Sequence, residues 1–104
     1  MEKNYQTNVN LFKLVKENKA NNLFNIVLEG WVKTNRDNGS IGFIEFNDGS
    51  CFKNVQLVYT KDSKDYEVLT SLRTGFAITV TGDVKLTPNN QQPFEIEVKE
   101  CVID

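Results

Sequence analysis

Arg36-Asp37-Asn38-Gly39-Ser40-Ile41-Gly42-Phe43-Ile44-Glu45-Phe46 reads as the end of one strand, a glycine-marked turn and the start of a second strand. Side chains alternate faces along a strand. If Ile44 and Phe46 point into a core, Phe43 and Glu45 point away from it. An aromatic ring then stands on the polar face of a sheet, with the Arg36 guanidinium beside it. Such a ring is a candidate stacking platform for an unpaired base. The competing account is that a loop or helix covers it.

The segment before the turn, Leu23 to Asn35, is a long strand with Gly30 at its middle. An interior glycine marks a bend, a bulge or a close backbone approach. A long strand that bends to serve two sheets is what a small closed barrel requires. After the second strand (Ile41–Asn47) and the turn Asp48-Gly49-Ser50, a third strand is expected over Cys51–Tyr59. There Val55 and Leu57 share one face, and Asn54 and Gln56 the other. Tyr66, Leu69 and Leu72 recur at helical spacing within 61–75, with acidic residues at the start and Gly75 as a stop. A fourth strand spans Phe76–Leu86, again with a mid-strand glycine. Thr87–Pro93 is a loop, and Phe94–Lys99 is a fifth strand with Phe94, Ile96 and Val98 inward.

Upstream, Met1–Thr7 is polar and expected to be poorly ordered. Val9, Phe12 and Val15 mark a short amphipathic helix that starts near Thr7 or Asn8, ends before Asn21-Asn22 and covers an edge or open end of the sheet. The order is therefore βββαββ with an extra N-terminal helix. That is the element order of the five-stranded, all-β oligonucleotide/oligosaccharide-binding barrel, the OB-fold, whose second and third strands form the usual binding face.

Composition narrows the chemistry. The 104 residues, 39% of them hydrophobic, suit a single domain over 1–104. The net charge of -2 excludes a globally basic nucleic-acid coat, so any such partner is held by a local patch. With no histidine and with Cys51 and Cys101 far apart, no metal site is expected, and both cysteines read as small strand residues in a reducing compartment. No catalytic constellation is present: there is no phosphate-cradling glycine loop and no nucleophile–base set. Glu95 and Glu97 share an outward face and read as solvated rather than catalytic. No run is apolar enough to span a membrane, which points to a cytoplasmic protein.

A binding face is the better-supported expectation. Phe43, Gln56 and Glu97 project from the second, third and fifth strands, with Arg36 at the turn. Lys33, Lys53 and Lys85 are candidate contributors of positive charge, with plain solvation as the alternative. Gln56 donates and accepts at once and so matches the mixed edge of uracil. Arg36 suits a phosphate or a base plane. Glu97, acceptor-only, suits a base N–H.

Gly30-Trp31-Val32-Lys33-Thr34-Asn35-Arg36-Asp37, Gly39-Ser40-Ile41-Gly42-Phe43-Ile44, Asp48-Gly49-Ser50-Cys51, Val55-Gln56, Val80-Thr81-Gly82 and Phe94-Glu95-Ile96-Glu97-Val98 together resemble the N-terminal anticodon-binding domain of class II (subclass IIb) asparaginyl-tRNA synthetases. The Gly-Trp-Val and Arg-Asp elements and the strand-two phenylalanine are shared with the aspartyl and lysyl branches. The resemblance implies that Phe43 stacks on the central anticodon uridine and Gln56 reads its edge, with Arg36 and Glu97 at matching positions. It points more loosely to Thr87, Asn89, Asn90 and Gln91 in the loop between strands four and five. The partner implied is an anticodon stem-loop, that of the asparagine tRNA. No cofactor is implied for this domain. ATP and magnesium belong to the family's catalytic domain, which lies outside this chain, and the parent ligase would be a homodimer. An aspartyl-type domain, which meets an anticodon differing only at its third base, and a stand-alone protein- or RNA-binding barrel are the alternatives.

Overall fold

One strand is shared between two neighbours, and the barrel closes through it. In a computed structural model that describes residues 4–21, 23–87 and 92–104, the elements are β1 (Asn4–Tyr5), α1 (Asn8–Lys16), β2 (Ile26–Asp37), β3 (Ile41–Asn47), β4 (Val55–Thr60), α2 (Tyr66–Ser71), β5 (Ala77–Leu86) and β6 (Phe94–Ile103). Strand β2 pairs antiparallel with β5 from Ile26 to Trp31 and with β3 from Trp31 to Asp37. β3 pairs with β4, β4 runs parallel to β6, and β6 pairs with β5, so the circuit β2-β3-β4-β6-β5 returns to β2. This is the expected five-stranded OB barrel, and its closure leaves no long open edge.

Of the three meanings open for Gly30, close approach is the one found. A Cβ there would lie 2.6 Å from the Asn47 carbonyl oxygen and 2.8 Å from Asp48 Cα. The bulge in β2 falls later, between Val32 and Thr34. In β5 the glycine does mark a bulge, with the register shifting between Thr81 and Gly82.

Alternation fills the interior with Ile26, Leu28, Val32, Ile44, Phe46, Val55, Leu57, Ile78, Val80, Phe94, Ile96 and Val98. The two helices close opposite ends. Helix α1 is capped by Thr7, whose Oγ1 accepts the Asn10 N–H at 3.2 Å. The backbone N–H groups of Asn8 and Val9, which an isolated helix would leave unpaired, donate to Asp48 Oδ2 at 2.9 Å and Ser50 Oγ at 3.0 Å. Helix α2 buries Leu69, and its C-cap Leu72 is buried beside it. Asn35 Nδ2 donates to the carbonyls of Leu69 in α2 (2.8 Å) and of its C-cap Leu72 (3.2 Å), and Tyr59 Oη donates to Asn35 Oδ1 at 2.8 Å.

Several expected boundaries are corrected. Asn4–Tyr5, expected to be poorly ordered, forms β1 against Ile26–Val27, where β3 does not reach and β2 would otherwise have a bare flank. In α1 the buried apolar residue is Leu11 and Val9 is exposed, because a nine-residue helix over a barrel mouth makes contact along a narrow line. Phe12 meets Phe94 edge-on at 5.1 Å. β2 starts at Ile26 rather than Leu23, following Asn25 in the left-handed region (φ 54°), and it continues to Asp37. Cys51–Asn54 is a bend and not strand, so β4 starts at Val55 and Cys51 is half-buried in a loop. Helix α2 is shorter than the 61–75 pattern, and Gly75 (φ 91°) serves the turn into β5. β6 runs on to Ile103. Asn89, Asn90 and Gln91 lie outside the described residues.

Two outcomes follow from this packing. Gly30→Val forces a methyl-bearing carbon into the Asn47–Asp48 backbone and is expected to lower stability by about 1–3 kcal/mol, the usual cost of overpacking, read as a fall in the urea midpoint. Burial, and then the Asp37 carboxylate, push the Tyr59 phenol up to about 12, and burial with Asp65 and Asp104 pushes the Cys101 thiol up to about 12. Tyr66 is also raised, by desolvation and Asp37. Groups raised in the folded state favour folding while they stay protonated. Their contribution is complete below the ordinary values of 9.0 and 10.0 and is lost as the pH climbs toward about 12. Urea midpoints are therefore expected to be flat up to about pH 8 and to fall steeply above about pH 10, and a midpoint unchanged across that window would contradict the assignment.

Candidate nucleic-acid interface

The outer face of β3 presents Ile41, Phe43, Glu45 and Asn47, since Gly42, Ile44 and Phe46 are buried. The register places Arg36 opposite Phe43, Phe43 opposite Val58, Val58 beside Glu97, and Glu97 opposite Asp83. Directly opposed residues on antiparallel strands have Cβ atoms about 4.5–5.5 Å apart, so this row is one continuous strip across five strands. A second row carries Thr34, Glu45 and Gln56.

Phe43 is where alternation put it, outward and half-buried, with the Arg36 side chain to one side and buried Val58 to the other. It lines a recess of about 240 Å³ with Arg36, Asp37, Asn38 and Ile41. A neighbouring hollow of about 400 Å³ is lined by Ile41, Val58, Lys85, Glu95 and Glu97. The turn beneath Arg36 is braced by its own side chains. Asn38 Oδ1 accepts the N–H groups of Ser40 and Ile41 at 3.0 Å, and the Asp37 carboxylate accepts that of Gly39. Arg36 is exposed and makes no ion pair among the described residues.

Gln56 is half-buried, and its Nε2 donates to Glu95 Oε2 at 3.2 Å. Glu97, exposed, stands in the Phe43 row instead and pairs with Lys85 Nζ at 3.4 Å. Glu95 is thus the carboxylate that orients Gln56. Alternation placed both glutamates outward, but only the parallel β4–β6 register decides which of them meets the glutamine.

The three lysines do not form one patch. Lys85 is engaged by Glu97. Lys53 lies over the Phe12 ring at 5.3 Å, in a recess with Glu45, Asn54, Gln92 and Pro93. Lys33 is the extra residue of the β2 bulge and faces the 47–54 turn. The sequence reading also passed over Phe52, which is fully exposed on that turn. Its position in a non-strand segment was the missing signal.

Chemically, the strip offers an aromatic face, an amide with both donor and acceptor capacity, carboxylate acceptors and one unpaired guanidinium. It carries Glu45, Asp83, Glu95 and Glu97 against Arg36, Lys85 and Lys99, the last paired with Asp83 at 3.2 Å, a balance suited to uncharged base edges more than to a run of phosphates. Among the described residues, no group of three His, Cys, Asp or Glu is placed to hold a metal, and no helix is long and apolar enough to cross a membrane.

Residues 26–104 match the family described as OB-fold nucleic acid binding domain. The chain is 49% identical over 80 residues to the asparagine–tRNA ligase of Malacoplasma penetrans, which covers 76% of this chain and 18% of that protein. It is 40% identical over 79 residues to that of Clostridium botulinum, covering 76% and 17%. The chain therefore spans less than a fifth of the length of these curated relatives. Among solved structures, the asparaginyl-tRNA synthetase of Pyrococcus horikoshii complexed with asparaginyl-adenylate superposes with a TM-score of 0.67 at 24% identity, covering 83% of this chain and 21% of that one. An OBody bound to hen egg-white lysozyme superposes at 0.69 with 22% identity, covering 79% and 84%; both show the shared barrel. With its five-strand circuit closed through β2 and the family match running from the first residue of that strand to Asp104, the chain belongs to the tRNA anti-codon family of OB-fold nucleic acid binding domains.

Proposed function

We propose that this domain binds the anticodon loop of the asparagine tRNA and recognises the central uridine by stacking on Phe43 and hydrogen bonding to Gln56. The observation that carries this reading is the Arg36–Phe43–Val58–Glu97 row, flanked by the Gln56–Glu95 pair. A uracil lying on the Phe43 ring presents carbonyl acceptors and one N–H. The Gln56 amide can meet both kinds of group, and its bond to Glu95 fixes which end of the amide faces the base. Arg36 meets the adjoining phosphate, and Glu97 accepts from a neighbouring base once Lys85 releases it. Asn89 and Asn90 in the β5–β6 loop are further candidate contacts.

The domain carries no chemistry of its own in this reading. It is the anticodon-binding part of an ATP-dependent asparagine–tRNA ligase, whose ATP and magnesium sites lie in the catalytic domain and which works as a cytoplasmic homodimer. The similarity to asparagine–tRNA ligases at 40–49% identity favours the asparaginyl branch over the aspartyl one.

Titration of an anticodon stem-loop into the chain tests the assignment. Phe43→Ala is expected to weaken binding by about 1–3 kcal/mol, the usual contribution of one base–aromatic stack. Replacing the central uridine by another base should lose a similar amount through Gln56. Equal affinity for all central bases would refute the base-specific mechanism. Because one unpaired arginine and few free lysines face the RNA, the dependence of log affinity on log salt should be shallow, equivalent to about one to three phosphate contacts.

A further inference from the structure

We propose that the far end of the same sheet face holds a second nucleotide subsite, in which an unpaired base of the bound RNA stacks on Phe52 and Lys33 meets its phosphate. This rests on the anticodon-loop reading above. The outward residues of β3 run Phe43, Glu45, Asn47, and a recess of about 590 Å³ continues from there, lined by Lys33, Asn47, Ser50, Cys51, Phe52 and Asn54. Four strand residues span about 13 Å, so the recess lies within reach of a neighbouring stretch of one RNA strand.

The Phe52 ring is fully exposed, yet the loop that carries it is held in place. Asn47 Nδ2 donates to the Cys51 carbonyl (3.2 Å) and to Asn54 Oδ1 (3.0 Å), while Asn47 Oδ1 accepts the Gly49 N–H at 2.7 Å. Asp48 and Ser50 in turn receive the first N–H groups of α1. A ring presented to water by a braced loop is a preorganised contact. Lys33 is the bulged residue of β2, exposed and without an ion pair among the described residues, and bulges re-aim side chains in this way. The rest of the recess is amide, hydroxyl and thiol. Trp31 and Val9 are also half exposed beside this turn, but the recess itself is lined by one aromatic ring and one cation among amides, which match a single nucleotide.

The lone tryptophan, Trp31, reports on this end, because a Cβ on Gly49 would sit 3.7 Å from its ring. The test compares wild type, Phe52→Ala, Phe52→Tyr, Lys33→Gln and Phe43→Ala for binding to an anticodon stem-loop and to the bare anticodon trinucleotide, with Trp31 emission as readout. For the stem-loop, Phe52→Ala should weaken binding by about fivefold or more and Phe52→Tyr should preserve it. Lys33→Gln should reduce the salt slope by about one. Binding of the trinucleotide should be unchanged in all three, which a merely structural role for the loop would not allow. If Phe43→Ala weakens binding while the Phe52 and Lys33 variants match wild type, the subsite is overturned and the anticodon reading stands. If Phe52→Ala weakens stem-loop binding and Phe43→Ala does not, the subsite stands and the Phe43 stack fails. If no variant differs from wild type, both fail.

Discussion

The barrel closes because β2 pairs with two different neighbours. Its first half is hydrogen-bonded to β5 and its second half to β3, with Trp31 registered to Ala77 on one side and Asn47 on the other. The changeover works because Gly30 has no Cβ, so the Asn47–Asp48 backbone closes directly over it. Once the changeover is set, the register of β3 is set, and Arg36 falls opposite Phe43. A slip of one residue would turn Phe43 into the core and Ile44 to water, which the apolar interior forbids.

The outer strip is braced from beneath by the residues that alternate with it. Asn35 precedes Arg36 and Tyr59 follows Val58. These two inward-facing side chains hydrogen-bond to each other, and Asn35 also binds the C-terminal carbonyls of α2. The short helix between β4 and β5 therefore steadies the strands that carry the binding face. At the other end α1 does the same for the turn after β3, through Asp48 and Ser50. A six-residue helix has little stability alone, and here its packing against β4 and β6 and the Asn35 hydrogen bonds hold it.

The charge on the strip fits the division between positioning and reading in RNA recognition. The outward carboxylates disfavour phosphates and can accept N–H groups, while Arg36 and the lysines at the margins supply the positive charge of this face.

Strand alternation was enough to read, from the residues alone, the OB order, the inward sets Ile44/Phe46, Val55/Leu57 and Phe94/Ile96/Val98, and the outward placement of Phe43 and Gln56. Alternation is a local property of the chain and needs no partner. The pairing of Gln56 with Glu95 instead of Glu97, the scatter of Lys33, Lys53 and Lys85, β1, and the exposed Phe52 were not legible. Each depends on which distant strand or turn lies alongside. β4 and β6 meet in parallel across a stretch of chain that includes a helix and a strand, and Asn4–Tyr5 forms a strand only because β3 leaves that flank of β2 free. Period and faces are written into each segment; the closure of the barrel set the register between non-consecutive strands, and with it which outward residues become neighbours.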